Sequence, residues 1–218
     1  MKKFFSTFLT LLLVVLVAAS GFAQTQPIFD DHLLLNGYAE KYANEPKHIL
    51  LAMIQDESLT AYKMAAAVRV FREKFATEVL SREKKTFEKA LLRRLNRAEA
   101  PFVEVEIMHT LCTLDRYRYF KSMVPALIQK LDHYNETVND LAYKALDEIV
   151  KTGNNRAREA RLVFNTLRKV LFLSRKRLET TTEPSPKLKR KLDLLRWSIK
   201  ILGTEELKRL PKEVIHLL

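Results

Sequence analysis

Val138-Asn139-Asp140-Leu141-Ala142-Tyr143-Lys144-Ala145-Leu146-Asp147-Glu148-Ile149 carries the strongest pattern in the chain. Its apolar members Val138, Leu141, Ala142, Ala145, Leu146 and Ile149 recur three, four, seven and eight positions apart. An α-helix turns once in about 3.6 residues, so this spacing gathers them into one stripe. Such a stripe has to be covered by neighbouring elements.

On the N-terminal side, residues 132–135 read as a turn, and a helix is expected over 124–131. Residues 117–120 form a connector. Pro101 starts a helix with Val103, Ile107, Leu111 and Leu114 in line, and Glu99-Ala100-Pro101 separates it from a helix capped by Ser81 that carries Phe87, Ala90, Leu91 and Leu95. Proline is tolerated in a first helical turn, where its missing N–H has no partner to lose. Earlier still, Asp56-Glu57-Ser58 makes a turn with an N-cap before a helix bearing Tyr62, Ala65, Ala66, Val68, Phe71 and Phe75. Pro46 opens a helix to Gln55, and residues 31–42 form a short helix interrupted near Asn36-Gly37. On the C-terminal side, Gly153 stops the central helix and Asn154-Asn155 restart the chain into a long helix over 157–178. The loop Thr180-Thr181-Thr182-Glu183-Pro184-Ser185-Pro186 follows, then a helix over 187–202 stopped by Gly203, a short helix capped by Thr204, and a last turn or two over 212–218. No segment alternates with period two. Beyond the first 23 residues only Gly37, Gly153 and Gly203 supply glycine, so tight hairpins, phosphate cradles and nucleophile elbows lack the backbone they need. The fold class is all-α with short connections.

The helices recur in pairs. Ala90-Leu91-Leu92-Arg93-Arg94-Leu95 aligns with Ala126-Leu127-Ile128-Gln129-Lys130-Leu131, and Val103, Ile107 and Leu111 align with Val138, Ala142 and Leu146. Repeat lengths of about 35 to 42 residues are those of helical arrays, in which a pair that cannot bury its stripe alone stacks on the next. Val124-Pro125-Ala126-Leu127-Ile128-Gln129-Lys130-Leu131, with Asp132 in the turn and the Val138, Ala142, Ala145, Leu146 ladder, resembles the HEAT-repeat (armadillo-type) family. Residues 54–68, with Asp56 and Ala65-Ala66-Ala67, are similar. The basic residue usual after the second-helix valine is missing: Glu104 and Asn139 stand there. The resemblance covers residues 47–153 well and 156–203 poorly. It implies a short α-α superhelix of three to four hairpins over 47–203, with 24–46 as an N-terminal extension or capping helix and 204–218 as short C-terminal helices.

Lys2 and Lys3, the apolar run from Phe4 to Ala19, and the small-residue exit Ala19-Ser20-Gly21-Phe22-Ala23 have the order of a secretory signal peptide. Cleavage is expected between Ala23 and Gln24, with a periplasmic or secreted destination. An apolar run of about sixteen residues is short of the roughly twenty that span a bilayer. Cys112 is the sole cysteine, so no internal disulfide forms, and its apolar surroundings predict a buried thiol. Net charge is +12 for the whole chain. Outside the cytoplasm this disfavours nucleic acid and leaves anionic lipid, lipopolysaccharide or an acidic protein as attracted partners.

Candidate sites are few. His32, His48, His109, His133 and His216 are scattered without metal-ligand spacing. His109 and Cys112 share a helical face and read as a core pair. Glu104 and Glu106 are two apart and diverge on a helix. Asn135 starts an Asn-Glu-Thr acceptor triplet, but reads as a helix cap. Two basic runs flank one loop: Arg168, Lys169, Arg175, Lys176 and Arg177, then Lys187, Lys189, Arg190, Lys191 and Arg196, with Trp197 beside the second. Together they suggest an anion-binding end. No clustered acid, base or nucleophile points to an enzyme, and neither cofactor nor metal is implied. The expected function is an exported, non-catalytic repeat protein that scaffolds another protein. The alternative is a binder of anionic envelope surfaces that uses the basic C-terminal third.

Overall fold

A computed structural model describes residues 32–97, 99–115, 120–152 and 156–218. In chain order the helices are α1 (His32–Tyr42), α2 (Lys47–Gln55), α3 (Ala61–Lys74), α4 (Ser81–Leu95), α5 (Pro101–Asp115), α6 (Phe120–Lys130), α7 (Glu136–Thr152), α8 (Arg156–Leu178) and α9 (Pro186–Leu202). A 3-10 helix, Thr204–Arg209, and the short α10 (Lys212–Ile215) follow. No strand occurs among the described residues, so the chain is all-α as its periodicity predicts. The expected leader with its Ala23/Gln24 junction, residues 24–31, residues 117–119 of the expected connector, and the Gly153-Asn154-Asn155 break lie outside the described residues.

Packing follows a regular plan. Consecutive helices pair as α2 on α3, α4 on α5, α6 on α7 and α8 on α9. Helices two apart also touch, along one row through α2, α4, α6 and α8 and along another through α1, α3, α5, α7 and α9. A helix inside such a plan is covered on several sides. In α3, which meets α1, α2 and α5, every residue from Met64 to Val68 is buried, together with Val70 and Phe71. The run Ala65-Ala66-Ala67 makes this feasible, because small side chains let neighbours approach from different directions. In α5 burial extends over all of Phe102 to Met108, between α3, α4 and α7. Tyr62 stacks on Phe102 across the α3–α5 seam with centroids 4.8 Å apart, and Phe71 at the end of α3 stacks on Phe87 of α4 at 3.9 Å. In α7 Val138, Ala142, Ala145 and Leu146 of the stripe are buried and Leu141 is half-buried, while the Ile149 side chain lies outside the described residues. Each fully buried aliphatic side chain of Val or Leu size contributes about 1.5–3 kcal/mol.

Several local expectations are corrected. The first helix runs through Asn36-Gly37 without a break: a Cβ at Gly37 would meet nothing within 4 Å, and the Asn36 carboxamide accepts a hydrogen bond from Arg69 of α3. Ser81 is a helical residue, and Leu80 stands at the N-cap position before it. Asp56 instead closes its own turn, accepting from the Ser58 backbone N–H at 2.9 Å and its hydroxyl at 2.7 Å. Phe75 lies just beyond α3. Helix α6 begins at Phe120, which places Pro125 in its interior. Gly203, not Thr204, precedes the 3-10 helix. Other expectations hold. Asn135 caps α7, its Oδ1 accepting from Thr137 N at 3.0 Å and Val138 N at 3.3 Å. Gly203 ends α9 with φ +103°. Pro186, expected in the loop, is already helical, and Ser185 Oγ caps it by accepting from Leu188 N at 3.3 Å.

Candidate functional site

The two basic runs separate into different environments. On α9, Lys187 donates to the His133 carbonyl at 2.5 Å, and Arg190 reaches the Asn139 carboxamide oxygen and the Asp140 carboxylate. Lys191 is only 6% exposed and grips both oxygens of Asp132. These three cations face the α6–α7 turn and bind the protein's own acceptors. Arg196 pairs with Asp193 at 2.9 Å and holds the backbone carbonyls of Leu217 and Leu218, so it pins the C-terminus. Lys189 is exposed, and Trp197 is half-buried. The second run therefore does not act as a unit.

The first run stays together on α8. Arg168, Lys169, Phe172, Leu173 and, from the 3-10 helix, Arg209 line an open groove of about 550 Å³. Phe172 is 50% exposed and Leu173 84%. Lys169 precedes these two by three and four positions and Lys176 follows them by four and three, so each lysine is a helical neighbour of both apolar side chains. The Arg175 guanidinium lies 4.1 Å from the Phe172 ring centroid and donates to the Phe172 carbonyl at 3.0 Å. Lys176 and Arg177 are exposed. From Ala160 to Leu178 the sequence contains no acidic residue. Arg209 is held in place by Glu206 at 2.6 Å and lies over Phe164.

Sequence reasoning passed over the most heavily bonded polar groups. Glu104 and Glu106 diverge as their spacing requires, yet both are buried and each receives cations from a different neighbour. Glu106 accepts from Arg69 at 2.6 and 2.9 Å and from Arg72 at 2.5 Å, both on α3. Glu104 accepts from Lys130 at 2.7 Å and lies 3.4 Å from the His133 ring, at the α6 end. Arg94, the repeat counterpart of Lys130, donates to the carbonyls of Ile54 and Asp56 and so closes the C-terminus of α2. Asn139, the counterpart of Glu104, donates to the Leu131 carbonyl while accepting from Arg190. The positions where the HEAT-like pattern lacks its basic residue are therefore filled by acceptors, and other helices bring the cations. The departure at Glu104 and Asn139 was the available signal.

His109 does not form a core pair with Cys112: it is exposed, and Cys112 is half-buried, not buried. Desolvation by its neighbours, helped by the positive charge of Arg72 and opposed by Glu106, holds the His109 pKa below its ordinary value. Among the described residues no group of three or more His, Cys, Asp or Glu side chains is placed to hold a metal ion, and no helix is long and apolar enough to cross a membrane. A second open groove, about 620 Å³, lies between the α1–α2 junction and the end of α3, where Lys74 donates to the Ala43 carbonyl. The chain matches no family model, no curated protein and no solved structure.

Proposed function

We propose that this chain is an exported, non-catalytic helical-repeat protein that scaffolds another protein, its hairpins stacked as a short HEAT-like solenoid. The observation that carries this is the two-row packing, in which each helix rests on the helix two places along. Arrays built that way extend by repetition and present a broad continuous surface, which suits a protein partner better than a small molecule. The hairpins α2–α3, α4–α5, α6–α7 and α8–α9 are the repeats, and α1 covers the exposed side of α3. That a stacked array binds proteins is an argument from architecture, and it is tested as one.

The experiment is crosslinking with mass spectrometry on the native envelope fraction, followed by pull-down with the full chain. A single protein crosslinked to several hairpins of one row, and retained at high salt, supports the scaffold. Crosslinks confined to lipid or to unrelated abundant proteins overturn it. Export is tested separately by intact mass: a mature chain beginning at Gln24 supports it, and a full-length cytoplasmic chain overturns it.

A further inference from the structure

We infer that the outer face of α8 is a docking surface for anionic phospholipid bilayers, with Phe172 and Leu173 entering the lipid interface and the surrounding cations holding the headgroups. The inference is independent of the protein-partner proposal.

The chemistry is local. A leucine 84% exposed and a phenylalanine 50% exposed stand side by side on a helix that buries Val163, Phe164, Leu167 and Leu171 and leaves Leu162 and Val170 half-buried. Water-facing apolar side chains are common singly. Here they are adjacent and bracketed on both sides by cations, Arg168 and Lys169 a turn before, Arg175 and Lys176 a turn after. No carboxylate stands between Glu159 and Glu179 in the sequence, and every charged residue that lines the groove is a cation. Its complement is an anionic surface.

Size selects a bilayer over a folded acidic protein. A stable protein interface needs about 800 Å² from each partner around a packed apolar centre. Two protruding side chains in an open groove offer far less. An interfacial anchor needs only that: a few apolar groups sunk at the headgroup boundary, with Lys and Arg supplying electrostatic attraction of about 1 kcal/mol each. The cations are also the ones left to do it. Lys187, Arg190 and Lys191 of the neighbouring run are spent on Asp132, His133, Asn139 and Asp140, and Arg196 on the C-terminus.

The test is vesicle flotation of the full chain with liposomes of phosphatidylcholine alone or with one third phosphatidylglycerol, at low and high salt. Binding is expected to the anionic vesicles only, falling at least tenfold between about 50 mM and 500 mM salt as surface charges are screened. Phe172→Ser with Leu173→Ser, and separately Lys169→Glu with Lys176→Glu, should each weaken binding tenfold or more. Lys189→Glu, which makes half of that charge change on the other basic run, should leave it within twofold. All substituted side chains except Phe172 are largely exposed, and far-UV circular dichroism verifies that each variant keeps its helices. Absence of binding by the parent chain, equal binding to neutral vesicles, or equal loss in Lys189→Glu overturns the inference. So does an acidic protein that competes for the same residues while vesicles do not bind.

Discussion

Glu106 shows what a single buried charge does here. Its carboxylate is almost wholly enclosed, and two arginines one turn apart on α3 converge on it. Removing one partner of such a set leaves the others unmatched at a cost of about 3–5 kcal/mol in a dry interior. Arg69 and Arg72 keep some contact with water, which favours the lower end. Glu106→Ala should therefore destabilise the protein by about 3 kcal/mol, read as a shift of the urea midpoint. A loss below about 1 kcal/mol would mean the arginines re-solvate freely. His109 sits beside this cluster, its pKa lowered by desolvation first and by Arg72 second. The sign follows directly. Below the ordinary imidazole value of about 6.5 the unfolded chain takes up a proton that the folded chain resists. The stability contribution is complete above that value, is lost as pH falls below it, and levels off under the folded pKa. His109→Gln should flatten the wild-type slope between pH 7 and 5.5, as measured by urea unfolding at each pH. An unchanged slope would show that another group carries it.

At the scale of the element, two glycines make opposite predictions. Gly37 lies inside α1 with open space where a Cβ would go, so its flexibility brings the helix only entropy to lose. Gly37→Ala should stabilise by roughly 0.5–1 kcal/mol. Gly203 also has space, but its φ of +103° is one that L side chains rarely adopt. Gly203→Ala should destabilise by about 1 kcal/mol or more, because strain replaces that freedom. Thermal unfolding of the two variants side by side checks the contrast. Helix existence was legible from sequence for each of these elements, since amphipathic spacing is a local property. Helix ends were less so. Asn135 and Gly203 announced theirs through residue chemistry, whereas Ser81 and Thr204 suggested caps at positions that Leu80 and Gly203 occupy.

For the whole molecule, the two rows of contacts carry a dynamic consequence. In a stacked array each hairpin depends chiefly on its neighbours, so damage stays local. Leu50 is fully buried in α2, at the far end from α9. Leu50→Ala should raise amide hydrogen exchange in α2 to α4 while leaving α8 and α9 protected. Uniform loss of protection across all helices would instead indicate one cooperative core and count against the solenoid proposal.

The all-α class and the hairpin order were readable in the residues because 3.6-residue periodicity, proline and glycine act within a few positions. Long-range choices were not. Lys191 and Asp132 stand 59 residues apart, and nothing in either neighbourhood marks them as partners. Ten similar-looking cations became three internal clamps, a tether for the C-terminus, an exposed Lys189 and a cluster of five on α8 only once α9 had packed against α7 and α8. A lysine's chemistry is the same on either side of a helix. Which acceptor it meets depends on the neighbour that folding sets beside it.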